Sequence, residues 1–262
     1  MELQNHKAEF EAAGISVFAI SYDPVKAQSR FAEESGIDYP LLADEGSAVI
    51  KEIGLLNTLV KEDEPVYGIP FPGSYLVGED GLVEEKFFHR EYQVRATGAT
   101  VLRSGFRAAV DLSASPHAEL TDGDAKLAAT FGGDGLAFMQ HGDLYVRIEL
   151  AEGLHVNGPD VPEGYFATEV RVTGPDGLRI GEPEFPPTAP FRIEGLDEQF
   201  QVFEGGVEVV VPLISALREG ESVPVEVEVQ YQACNDRECF LPKTDRLQLD
   251  VPVAALNMPQ RR

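Results

Sequence analysis

Val223-Pro224-Val225-Glu226-Val227-Glu228-Val229-Gln230-Tyr231 alternates apolar and non-core residues without a break. Successive side chains of a strand point to opposite faces, so the run reads as a β-strand with its valines and Tyr231 on one side. It continues directly into Gln232-Ala233-Cys234-Asn235-Asp236-Arg237-Glu238-Cys239-Phe240-Leu241-Pro242, which holds the only two cysteines among 262 residues. A fully extended chain would hold Cys234 and Cys239 about 16 Å apart. A disulfide needs Cα atoms roughly 4.4 to 6.8 Å apart. The two can therefore bond only if residues 235–238 turn back on themselves, which their polar side chains permit.

The surrounding half of the chain reads as strands only. Asp143-Leu144-Tyr145-Val146-Arg147-Ile148-Glu149-Leu150 alternates well, as do residues 166–172 and 207–211, and residues 247–253 close the pattern. Several short strands between Gly/Pro turns predict an antiparallel β-sandwich over residues 135–262. Residues 182–191 read as an irregular loop, because Pro183, Pro186, Pro187 and Pro190 exclude a central strand.

Residues 1–106 have a different grammar. Leu3, Ala8, Phe10 and Ala13 mark an amphipathic helix ended by Gly14, and Ser16-Val17-Phe18-Ala19-Ile20-Ser21 reads as a buried strand. Asp23-Pro24 opens a helix that runs to Ser35-Gly36, with proline placed near the first turn. Tyr39-Pro40-Leu41-Leu42-Ala43-Asp44 is a short edge-like strand, and Ser47 to Ile53 a helix stopped by Gly54. Ser74-Tyr75-Leu76-Val77 and Leu82-Val83-Glu84-Glu85-Lys86-Phe87-Phe88 flank Glu79-Asp80-Gly81, a hairpin signal. A final helix is expected from Tyr92 to about Phe106. This alternation predicts an α/β domain.

Between the two halves, residues 107–134 are rich in small and turn-forming residues (Ser113-Ala114-Ser115-Pro116, Thr121-Asp122-Gly123-Asp124, Gly132-Gly133-Asp134-Gly135) and read as a linker. A short helix from Asp124 to Thr130 is compatible with that reading.

Charge and hydropathy exclude whole classes of function. A net charge of −24 argues against a nucleic-acid partner, since phosphate binding needs a basic surface. No apolar run approaches the roughly 18 residues of a membrane helix, and no signal peptide is evident before the polar first helix. The histidines (His6, His89, His117, His141, His155) show no paired spacing, so a four-ligand zinc site is not expected. No metal or organic cofactor is implied. On spacing alone, the cysteines read as inert buried thiols, as a structural disulfide or as a redox pair.

Tyr231, Gln232, Cys234, Cys239 and Pro242 resemble the cysteine signature of the N-terminal domain of DsbD, the thiol:disulfide interchange protein, with Leu241 where that family often has a proline. The resemblance extends over roughly residues 135 to 255. It implies an immunoglobulin-like sandwich in which Cys234 and Cys239 shuttle between dithiol and disulfide, trading electrons with thioredoxin-like or other thiol/disulfide proteins. It also implies an exported, periplasm-like compartment. Asp236 and Glu238 would raise a thiol pKa in this loop and Arg237 would lower it. Which cysteine attacks first stays open. Tyr231 and Phe240, on either side of the pair, are candidates for positioning the partner; Phe240 reads either as a shield for the sulfurs or as a core residue.

The first half resembles the redoxin branch of the thioredoxin superfamily, the alkyl hydroperoxide reductase and thiol-specific antioxidant type. Gly14-Ile15-Ser16-Val17-Phe18-Ala19-Ile20-Ser21-Tyr22-Asp23 and Tyr67-Gly68-Ile69-Pro70-Phe71-Pro72-Gly73-Ser74-Tyr75-Leu76-Val77 carry the likeness. It implies a cis proline beside the reactive site, at Pro72 or else Pro70. It also implies a first core strand and a cysteine motif ahead of the opening helix, which this sequence does not contain. An N-terminally incomplete redoxin domain is the expectation. Its leading function is thiol–disulfide exchange, a redox relay through Cys234 and Cys239. The alternative is a non-catalytic binding or scaffold protein with a degenerate redoxin domain and a fixed disulfide.

Overall fold

The computed structural model describes residues 2–91, 93–106, 110, 112–192, 199–218, 220 and 222–254. The chain divides into two compact units, the break falling between Val110 and Asp111.

The first unit opens with two short helices, α1 (Glu2–Asn5) and α2 (Lys7–Ala12), then β1 (Ala19–Ser21), α3 (Val25–Ser35), β2 (Leu41–Ala43) and α4 (Ala48–Glu52). Strands β1 and β2 pair in parallel, Ile20 opposite Leu42. Gly36, at φ 65°, supplies the left-handed residue that ends α3. Buried Asp44 organises the next turn, its carboxylate accepting from the N–H groups of Ala48, Val49 and Ile50 at 3.0, 3.2 and 2.8 Å. A carboxylate held by orphan amide donors at a helix start is stabilised in its charged form. The hairpin expected from Asp80-Gly81 joins β3 (Ser74–Val77) to β4 (Val83–Phe87) as an antiparallel pair.

Three expectations for this unit change. Tyr92 lies outside the described residues, and the helix expected from there to Phe106 is shorter: β5 (Arg95–Ala96) precedes α5 (Gly98–Thr100), which runs into a π-helical turn, Val101–Gly105. Thr97 fixes that start, its hydroxyl accepting from the Thr100 N–H at 3.1 Å. The peptide bond before Pro72 is trans, as is that before Pro70, since the described residues hold no cis peptide. The trans isomer is favoured by about 0.5 to 1 kcal/mol, and the segment is held as extended chain by the Phe71 N–H on the Leu55 carbonyl, 2.7 Å. Finally, the strand expected to be buried is short and only half-buried, with Phe18 beside it 59% exposed.

The second unit is an all-β sandwich built from β6 (His117–Asp122), β7 (Ala125–Phe131), β8 (Gln140–Leu150), β9 (His155–Asn157), β10 (Glu169–Thr173), β11 (Leu178–Ile180), β12 (Ala189–Arg192), β13 (Gln199–Glu204), β14 (Gly206–Ser215), β15 (Ser222–Tyr231), β16 (Ala233–Cys234) and β17 (Lys243–Pro252). One sheet has the order β11-β14-β8-β7-β6, a second β10-β15-β17, and a third β12-β13-β9-β16. The valines of β15 pair with apolar partners on β17, Val223 with Val251, Val225 with Leu249 and Val227 with Leu247, all in one buried cluster. Each buried valine of this kind contributes about 1.5 to 3 kcal/mol relative to exposure. On the other face of the same strands Glu228 bridges Arg171 and Arg246, at 3.1 and 2.7 Å.

The linker reading of residues 107–134 is overturned in its second part. Residues 117–131 form the β6–β7 hairpin, Gly123-Asp124 being its turn, and no helix forms at residues 124–130. Ala125, Leu127, Ala129 and Phe131 alternate inward. Two of those four are alanines, which suit a helix as well as a strand, and the period-two signal was hidden for that reason. The proline-rich stretch at 182–191 ends in β12 from Ala189 onward; Pro190 is accommodated because β12 is an edge strand.

Candidate functional site: a disulfide at a sheet edge

Cys234 and Cys239 are joined by a disulfide, their Cα atoms 4.0 Å apart. The turn that brings them together is set by the Asn235 side chain. Asn235 accepts on its Oδ1 from the N–H groups of Arg237 and Glu238, both at 2.8 Å, and donates its own N–H to the Glu238 carbonyl at 3.0 Å. An asparagine that bonds the backbone two and three residues on imitates a turn and sets the reversal. Phe240 N–H then reaches the Ala233 carbonyl at 2.9 Å, closing the hairpin.

The two sulfurs have different surroundings. Cys234 is fully buried on β16, whereas Cys239 is partly exposed. Gln232, itself buried, ties the loop to its neighbour: its Nε2 donates to the Phe240 carbonyl at 2.9 Å, and its Oε1 accepts from the Phe166 N–H at 3.1 Å. Asn157 Nδ2 donates to the Phe166 carbonyl at 3.0 Å. The backbone at Phe166 is thereby clamped from both sides. Among the described residues of the second unit, the large apolar side chains left exposed are Phe166, Phe240 and Leu241, the last at 86%. All three belong to this one constellation.

Across the sheet the register is informative. Cys234 pairs with His155 on β9, and His155 pairs with Glu204 on β13, so Glu204, His155, Cys234 and Cys239 form one row. Directly opposed residues of an antiparallel pair share a face, with Cβ atoms about 4.5 to 5.5 Å apart. This face is the one opposite the main core, which takes Val156, Phe203 and Ala233 instead. His155 is buried, with Phe191 against its ring at 4.2 Å between centroids. Burial holds its pKa below the ordinary imidazole value, and the Glu204 charge pulls it part of the way back.

Tyr231 ends β15 inside the core, its hydroxyl donating to Asp245 Oδ2 at 3.0 Å. Burial and the adjacent carboxylate push its phenol well above the usual tyrosine value. Its side chain is not open to a partner; it anchors the strand that delivers Cys234. Phe240 is at the surface beside Cys239 rather than in the core. Pro72 belongs to the first unit and the cysteines to the second. Sequence reasoning passed over His155, Glu204 and Phe166. Strand β9 has only three residues, too few for alternation to show, and Phe166 sits in a loop. Among the described residues, no three His, Cys, Asp or Glu side chains are grouped as metal ligands, and no helix is long and apolar enough to cross a membrane.

Comparison with known proteins divides the chain in the same way. Residues 1–86 match the sequence model of the AhpC/TSA family, and residues 135–251 that of the N-terminal region of the thiol:disulfide interchange protein DsbD. Peroxiredoxin Bcp of Escherichia coli K12 is 30% identical over 89 residues, which are 32% of this chain and 54% of that protein. The chain thus spans about half the length of the curated relatives it matches. Among solved structures, the N-terminal periplasmic domain of ScsB from Proteus mirabilis aligns at 17% identity and a TM-score of 0.37, covering 51% of each chain. The reduced DsbD N-terminal domain of Neisseria meningitidis aligns at 18% and 0.28, covering 53% of this chain and 83% of that one. Residues 1–86 are thus similar to the AhpC/TSA family, whose fold is thioredoxin-like, and residues 135–251 to the immunoglobulin-like N-terminal domains of DsbD.

Proposed function

We propose that this protein is a thiol–disulfide relay in which the Cys234–Cys239 pair exchanges electrons with thioredoxin-like partner proteins. The observation that carries the reading is the asymmetry of the disulfide: one sulfur buried, the other at a surface edged by Phe166, Phe240 and Leu241. A partner thiolate attacks Cys239 Sγ, a mixed disulfide forms there, and Cys234 leaves as the thiolate. In the reverse direction Cys239 attacks the partner and Cys234 resolves the intermediate. Phe240 and its apolar neighbours seat the partner, and Tyr231 holds the strand in place. The first unit has no thiol in the sequence given, so its contribution is recognition, with Pro72 and the extended segment before β3 as the surface for an extended peptide. An exported, oxidising compartment suits a pair that must cycle.

The second reading, a binding module with a permanent staple, draws on the complete burial of Cys234. Equilibration in glutathione or dithiothreitol buffers separates the two. A potential between roughly −120 and −270 mV supports the relay, and one below about −300 mV supports the staple. The variants are as decisive. Cys234→Ser should accumulate a mixed disulfide through Cys239, whereas Cys239→Ser should lose exchange altogether; equal behaviour of the two would remove the assignment of Cys239 as the attacking thiol.

A further inference from the structure

We propose that His155, set between Glu204 and Cys234 in one cross-strand row, carries the proton for Cys234 during exchange. The inference rests on the relay reading above and adds a residue to it. A base next to a thiol, itself flanked by a carboxylate, is the arrangement that activates nucleophiles on unrelated folds. Here the register of three neighbouring strands produces it, Glu204 on β13, His155 on β9 and Cys234 on β16.

The need for such a group comes from burial. When a partner thiolate attacks Cys239 Sγ, the new bond forms at that sulfur, the Cys234–Cys239 bond breaks, and its electron pair goes to Cys234 Sγ. Cys234 is fully buried, and a thiolate there has no water to stabilise it. A ring protonated by solvent donates an N–H to that thiolate and passes the proton on, returning to neutral imidazole. In the closing direction the Cys234 S–H passes its proton to the ring, the thiolate attacks Cys239 in the mixed disulfide, and the partner's sulfur leaves with the electron pair. Desolvation keeps His155 largely neutral near pH 7, so the ring can accept as well as donate. Among the described residues, the charge acting on it is that of Glu204 on β13. From β12 it meets the uncharged Phe191, and from β16 Cys234 itself.

The test is the pH dependence of disulfide opening by dithiothreitol in the full chain, with the rate divided by the concentration of reductant thiolate. For the wild type this normalised rate should rise about tenfold as pH falls through the imidazole range, because the protonated ring is the better acid. His155→Phe, which keeps an aromatic ring against Phe191, should give a flat profile, and so should His155→Gln. Glu204→Gln should move the inflection to lower pH, since the carboxylate helps hold the proton on the ring. A wild-type profile without the acid limb overturns the proposal even if the variants fail to fold, and so does a variant profile that superimposes on the wild type. The reduction potential of the same wild-type sample keeps the two readings apart. A potential in the exchange range with superimposed profiles removes only the role of His155, whereas a staple-like potential removes the relay itself.

Discussion

The two units solve the problem of burying apolar surface to very different degrees. In the second, a continuous cluster runs from Ala125 through Val229 to Val251, and among the described residues the exposed large apolar side chains are confined to the surroundings of the disulfide. In the first, the cluster centres on Phe10, Val101 and Leu102, while Phe18, Val25, Phe31, Leu42, Leu59 and Val77 stand largely in solvent. Four of its five strands form two separate two-stranded sheets, β1 with β2 and β3 with β4. Pairs this small are marginal by themselves. Exposed apolar surface therefore carries a functional signal in the second unit, where it is rare and localised, and little in the first, where it is spread over many elements.

The largest expected consequence is a split in stability. Residues 1–110 should open well before the sandwich, and a difference of about 2 kcal/mol separates midpoints by roughly 10 °C for units of this size. Hydrogen exchange along a thermal or denaturant series reads it directly, with protection lost first in β1, β2 and α3 and last in β8, β14 and β15. Loss of protection in both units at the same midpoint would break the comparison.

Reducing the disulfide should act on one side only. Cys234 and Cys239 are five residues apart, so the closed loop is short. The chain-entropy relation gives about 2 kcal/mol for such a ring. The sandwich should lose that much on reduction, or in Cys234→Ala/Cys239→Ala, while the midpoint of the first unit stays where it was. A matching shift in the first unit would mean the two are energetically coupled.

How much of this was legible depended on strand length and residue size. The β15 run could be read because five inward residues alternate with outward ones over its length, and β14 and β17 were visible for the same reason. The β6–β7 hairpin was missed because Ala125 and Ala129 fill a tight inner face with the residue most typical of helices. Both cysteines were evident, and so was the turn chemistry between them. The row behind them was not. Register joins Glu204, His155 and Cys234 across 79 residues of sequence, on strands too short to leave a periodic trace. Local pattern cannot encode which strand lies beside which, and that adjacency is what assembles the row.

The smallest effect sharpens the comparison from the other side. Asp44 is the first unit's main buried carboxylate contact, and the N–H groups of Ile50, Val49 and Ala48 hold its pKa below the usual carboxylate value. A depressed folded-state pKa contributes stability that is present above the unfolded value of about 3.9 and is lost as pH falls through the folded one. The first unit should accordingly lose protection progressively below about pH 4. Asp44→Asn should lower its midpoint at neutral pH and flatten that acid limb, with β8 and β14 unaffected. An unchanged limb in the variant would assign the acid sensitivity to other carboxylates and leave the turn at Asp44 a matter of geometry rather than charge.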